Sequence, residues 1–93
     1  MKEPSIHDFE VAIKSQYDCL SALNSRELVC EALPGKPCWE GEVLTFDLLN
    51  HPTAARCYAW AVEGRITTVL HDGAVDSPRA AVRSQIGSVD GGD

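Results

Sequence analysis

The sequence predicts an α+β domain in the order α-(α)-β-β-β-α, with a three-stranded antiparallel sheet and its helices packed on one face. The chain has 93 residues, which fill one domain and leave no room for a second core. Its two ends carry apolar residues at helical spacing, whereas its middle alternates every second residue, as strands do. We therefore expect one domain over residues 1–86 and a flexible, glycine-rich tail over residues 87–93.

The first element is predicted to be a helix that begins after Ser5, a residue type that favours the N-cap. Asp8 stands where a capping-box partner is expected. Apolar residues then recur at intervals of three and four along one stripe; they are Ile6, Phe9, Ile13, Tyr17, Leu20 and Leu23. Asn24 interrupts this pattern, and residues 26–33 are predicted to form a second short helix, with a strand as the alternative.

Alternation and turn signals predict three strands in the middle of the chain, at residues 41–49, 56–62 and 65–71. Between the last two, Glu63 and Gly64 have the length and the glycine of a two-residue hairpin loop. This loop sets Val62 opposite Arg65, and the same register then fixes every other cross-strand pair of the hairpin.

That register divides the side chains of the hairpin between two faces. One face carries small and apolar side chains, namely Cys57, Ala59, Ala61, Ile66, Thr68 and Leu70. We assign it to the core, because small side chains let a helix lie close to a sheet. The aromatic sheet face, as we call the other, carries Arg56, Tyr58, Trp60, Val62, Arg65, Thr67, Val69 and His71. It is too polar for a core and too aromatic for ordinary surface, so we expect it to be exposed and to bind a partner.

The last helix has the clearest local signature in the chain. It is predicted to begin after Asp76 or Ser77, with Pro78 at the first helical position, and to end just before Gly87. Val82 lies on the side that we expect to face the sheet.

This order of elements resembles that of the double-stranded RNA-binding domain fold, as an analogy of architecture alone. Members of that family that bind RNA carry a lysine-rich start of the last helix. Here that stretch carries only Arg79 and Arg83, and Asp72 and Asp76 lie just ahead of it. With a formal net charge of -6, the chain is also poorly suited to neutralise phosphates. Nucleic acid is therefore not the partner that the sequence favours.

The compartment is predicted from what the sequence lacks. No apolar run approaches the roughly 20 residues needed to cross a bilayer, and the first residues carry no apolar leader segment. We expect a cytoplasmic protein without membrane contact.

Four cysteines, at positions 19, 30, 38 and 57, occur without any C-x-x-C pair. We expect them to be buried free thiols that behave as small apolar residues, with no metal and no cofactor. An alternative is a metal site with three thiols from Cys30, Cys38 and Cys57 and one imidazole from His7, His51 or His71.

The predicted function is that of a small non-enzymatic protein-interaction or homodimerising module that uses the aromatic sheet face. The predicted binding residues are Arg56, Tyr58, Trp60, Arg65, Thr67 and His71. One alternative is a binder of a small ligand or of single-stranded nucleic acid, which would stack on Tyr58 and Trp60. Another is a thiol-dependent enzyme, but Cys57 and His71 lie on different predicted faces, so the sequence offers no catalytic pair.

Overall fold

The computed structural model describes residues 4–32, 35, 38–62 and 64–91, and side chains up to residue 85. Six elements follow one another: α1 (Ile6–Tyr17), β1 (Leu20–Glu31), β2 (Trp39–Leu49), β3 (Arg56–Val62), β4 (Arg65–Leu70) and α2 (Pro78–Gly91). The four strands form one antiparallel sheet in which each strand pairs with the next along the chain. The chain is α+β, as predicted.

The sheet has four strands, and the prediction of three is wrong. Residues 26–31, which were expected to be helical, belong to β1, so the alternative assignment is the correct one. β1 pairs with β2 along its whole length, from Leu20 opposite Leu49 to Glu31 opposite Trp39. This long pairing outweighs the local helical signal of the segment. Leu33, the last residue of the predicted short helix, lies outside the described residues.

Helix α1 begins where the sequence predicts. The side chain of Ser5 accepts a hydrogen bond from the Asp8 N–H at 3.2 Å, and the Asp8 carboxylate accepts one from the Ser5 N–H at 2.9 Å. The helix ends earlier than its apolar stripe, because Asp18 adopts a left-handed conformation with φ of 55° and caps the last turn. Leu20 therefore begins β1 instead of continuing α1.

The β3–β4 hairpin confirms the predicted register. Val62 pairs with Arg65, and Cys57 pairs with Leu70 at the far end. Gly64 has a φ of 81°, which glycine adopts without steric cost and which a two-residue hairpin loop requires.

One helix covers each face of the sheet, so the prediction that the helices pack on one face is wrong. The α1 side buries Phe9, Ile13, Cys19, Leu44, Phe46, Leu48, Ala54, Cys57 and Ala59. The α2 side buries Val29, Val43, Tyr58, Trp60, Val75, Ala81 and Val82. Both faces of the central strands are apolar, and each must be covered. With a fourth strand and helices on opposite faces, the analogy to the double-stranded RNA-binding domain holds only loosely.

Helix α2 begins at Pro78, with the Ser77 hydroxyl accepting the Ala80 N–H at 3.2 Å, as the capping signature predicts. The predicted end at Gly87 is wrong, since α2 continues to Gly91. Glycine lowers helix stability by only about 1 kcal/mol, so it does not by itself end a helix.

The flexible tail expected over residues 87–93 stays a prediction. Residues 92 and 93 of that tail lie outside the described residues. Over the described residues, neither helix combines the length and the apolar character needed to cross a bilayer.

Candidate functional site

The two rings at the centre of the aromatic sheet face are buried. Tyr58 is 1% exposed and Trp60 is 4% exposed, so the expectation of exposed rings is wrong. Trp60 packs with Ala81 and Val82 of α2, and its ring meets that of Trp39 edge to face at a centroid distance of 6.0 Å. α2 and Trp39 therefore occupy the surface on which a ligand or an unpaired base was expected to stack.

The polar end of Tyr58 is satisfied inside the protein. Its hydroxyl lies 2.7 Å from Nδ1 of His71, which is half-buried. Burial is the main cause that raises the pKa of Tyr58. Because the phenol already has its hydrogen-bond partner, this pair needs no outside ligand.

The other predicted binding residues do not join these rings in one open surface. Arg56 is exposed and forms an ion pair with Asp47, at 3.6 Å between Nε and Oδ1. Arg65 is exposed beside the hairpin loop, and Thr67 is half-buried. A binding role for these three side chains stays a prediction.

The four thiols fall into two classes. Cys19 and Cys57 are buried on the α1 side, as predicted, whereas Cys30 and Cys38 are exposed, contrary to the prediction. Burial, and to a smaller extent the neighbouring Cys19, raise the pKa of the Cys57 thiol to about 12. A buried thiol with so high a pKa is unreactive at neutral pH.

The alternative metal site is not assembled in this structure. Cys57 lies in the core, away from the exposed Cys30 and Cys38, and Nδ1 of His51 already accepts the Thr53 and Ala54 N–H groups. Among the described residues, no three or more His, Cys, Asp or Glu side chains come together in a group that could hold a metal ion.

A buried carboxylate that the sequence analysis did not single out joins α2 to the sheet. Glu31, near the end of β1, is 3% exposed. Its Oε1 accepts from Nε and Nη2 of Arg83, both at 2.9 Å, and its Oε2 lies 3.4 Å from Nε of Arg79. The signal for this contact was the spacing of the two arginines, one helical turn apart on the same side of α2. We expect this paired buried charge to help fix the position of α2 on the sheet.

The outer side of β1 presents an unpaired strand edge. β1 has 12 residues and β4, the other edge strand, has 6. β1 is interrupted by a bulge between Leu23 and Ser25, where the Asn24 amide donates to the Asp47 carboxylate. Beyond the bulge the strand is regular over residues 25–31, which we name the open edge. None of the backbone hydrogen bonds that the described residues form outside helices and strands reaches it.

The centre of the open edge is apolar and exposed. Leu28 is 71% exposed, the largest value among the exposed large apolar side chains of the described residues. It pairs across the ladder with Glu42, which also forms an ion pair with Arg26 at 3.7 Å. Among the described residues, the edge thus combines a row of backbone groups that no other strand pairs with and a large apolar side chain.

No family model, curated protein or solved structure matches this chain.

Proposed function

We propose that this domain is a non-enzymatic protein-interaction module that self-associates by pairing its open edge with the same edge of a second copy. The observation that carries the proposal is Leu28, highly exposed at the middle of a regular and unpaired stretch of β1. An unpaired strand edge offers a row of N–H and C=O groups to an incoming strand. A second copy brings an identical edge, and a twofold axis makes the contact self-complementary.

The charges and the exposed leucine of the open edge together favour one register. In a twofold antiparallel pair, a residue meets a residue of the same face of the sheet. If the twofold axis passes at Glu27, this carboxylate lies opposite its own copy in the second chain. If the axis passes at Val29, Glu27 lies opposite Glu31 of the second chain. Centring the pair on Leu28 sets Leu28 against its own copy, Glu27 against Val29 and Arg26 against Cys30. This last register buries the exposed leucines together and avoids like charges directly opposite each other.

The association is expected to be weak. One short strand pair buries less than the roughly 1,200 Å² that stable protein interfaces need, so the dimer depends on protein concentration. Two copies that each carry a net charge of -6 also repel each other. Because salt screens this repulsion, added salt should strengthen the dimer.

Sedimentation of the purified, reduced chain over a concentration series tests the proposal. The expected result is a monomer–dimer equilibrium that moves toward dimer between low and moderate salt. Leu28→Lys should weaken this dimer by at least tenfold in Kd, because it replaces the apolar centre by two facing charges. Amide hydrogen exchange over residues 25–31 should slow as the fraction of chains in the dimer increases.

A matched control uses a second exposed apolar residue. Val62→Lys adds the same charge at the end of β3, where the side chain is 42% exposed, and should leave the dimer unchanged. A chain that stays monomeric at all concentrations overturns the self-association. A dimer that responds to Val62→Lys and not to Leu28→Lys shows that the contact lies elsewhere.

A further inference from the structure

Two exposed thiols meet at the loop end of the β1–β2 hairpin. The Sγ atoms of Cys30 and Cys38 lie 2.9 Å apart. Cys30 is next to last in β1, and Cys38 stands directly before Trp39, the first residue of β2. The two sulfurs are therefore less than 1 Å further apart than the roughly 2.05 Å of a disulfide bond.

We propose that Cys30 and Cys38 form a reversible dithiol–disulfide site that is oxidised by low-molecular-weight disulfides of the glutathione class. The distance requires only a small movement, and Cys38 lies outside the β1–β2 ladder, so its backbone is not held by strand pairing. This proposal concerns a chemical modification and does not depend on the self-association of the open edge.

The geometry assigns an order to the exchange. Cys38 is taken as the sulfur that attacks first, because it is exposed and lies outside the β1–β2 ladder, whereas Cys30 is held within it. The hydrogen bond between the two thiols, which raises the pKa of Cys30, favours the same order. The Cys38 thiolate breaks the S–S bond of the oxidant, forms a mixed disulfide and releases one thiolate.

Closure of the protein disulfide is the second step. Cys30 loses its proton to solvent and attacks the Cys38 sulfur of the mixed disulfide, which releases the second small thiolate. The two protein thiols have then given up two protons and two electrons, and one small disulfide has become two thiols.

The other two thiols provide a comparison within the same chain. Cys19 and Cys57 are both buried on the α1 side, where a disulfide reagent does not reach them. Oxidation should therefore be confined to the exposed pair while the protein is folded.

The test incubates the full chain with glutathione and glutathione disulfide at a series of ratios, then blocks the free thiols after denaturation. Intact mass is expected to show two blocked thiols in the oxidised form, and peptide mapping should link Cys30 to Cys38. Thermal unfolding should shift upward by roughly 5–15 °C, because the link restricts the unfolded chain. Dithiothreitol should reverse both changes.

Three variants make the test specific. Cys30→Ser and Cys38→Ser should each abolish the link and leave a glutathione adduct on the remaining exposed thiol. Cys19→Ala should keep the Cys30–Cys38 link. The proposal is overturned if no intramolecular link forms at any ratio, if the link involves Cys19 or Cys57, or if only links between chains appear.

Discussion

The two faces of the sheet are buried by different chemistry. The core on the α1 side is built from apolar residues, with small ones such as Cys57 and Ala59 beneath the helix, and the Tyr17 and Thr68 hydroxyls hydrogen-bond beside it at 2.9 Å. The α2 side buries two large aromatic rings, the carboxylate of Glu31 and the hydroxyl of Thr45. Polar groups on both sides need partners, but among the described residues the buried carboxylate lies on the α2 side.

The two helices also differ in how much they cover. The cluster beneath α2 takes in Val29, near the end of β1, and Val43 of β2. At the other end of the same face, Leu20 and Leu49 pair across the ladder and remain about half exposed. A helix placed by ionic contacts at one end of a strand leaves the rest of that face open. We therefore expect the polar contacts to set the position of α2 and the buried rings to supply most of the stability on this side.

The largest effect is expected from removing a ring of the α2 side. Trp60→Ala should lower the free energy of unfolding by about 3–5 kcal/mol, because it leaves a cavity between the sheet, Trp39 and α2. Urea unfolding followed by circular dichroism measures this change. Leu28→Ala, at an exposed position of the same sheet, should change the free energy by no more than about 0.5 kcal/mol. Equal stability of wild type and Trp60→Ala would show that α2 does not cover this face in solution.

The α1 side should respond to alkaline pH through its buried thiol. The pKa of Cys57 is about 12 in the folded chain, above that of a thiol in the unfolded chain. The contribution of the buried, neutral thiol to the free energy of unfolding is therefore complete below a pH of about 8.5, and it is lost as the pH rises toward 12. The free energy of unfolding, measured by urea unfolding at pH 8 and at pH 10, should fall by about 2 kcal/mol through this group.

The Cys57→Ala variant isolates that contribution. It should lose less stability than the wild type over the same pH interval, although it starts from a lower value because of the small cavity. Parallel curves for the two proteins would mean that the thiol is not buried as described.

The smallest effect is expected from the ionic contact that places α2. Glu31→Gln keeps the shape of the side chain and removes its charge, and it should cost about 1 kcal/mol, since both arginines are largely exposed and recover hydration. Amide exchange in the first turns of α2 should increase more than exchange in α1. Glu27→Gln, at an exposed position of the same strand, is the matched control. If amide exchange in the first turns of α2 is equal in Glu31→Gln and Glu27→Gln, the position of α2 is set by apolar packing and not by the ionic contact.

Local signals in the sequence predicted what local interactions determine. The Ser5 capping box, the hairpin register around Gly64 and the start of α2 at Pro78 each depend on residues close in the chain, and each was confirmed. The β1 strand was missed because its residues 26–31 have helical spacing, and only the pairing with β2 decides the outcome.

The candidate sites were harder to predict because they depend on contacts between distant residues. The alternation around Tyr58 and Trp60 correctly separated the two faces, but it carried no information on whether a helix covers the second one. The spacing of Arg79 and Arg83 indicates that they share one side of α2, but it does not indicate which carboxylate of the sheet they meet. The exposure of Leu28 likewise depends on tertiary structure, since α1 leaves this end of its face of the sheet uncovered.

The order of the strands has a consequence for how the chain reaches this structure. Every strand pairs with its successor, and the β3–β4 link is as short as a hairpin allows, so the sheet can grow by successive short loop closures. Only the terminal helices must join residues far apart in the chain, and they do so on opposite sides of the sheet. We therefore expect the central meander to form first and either helix to add to it without waiting for the other.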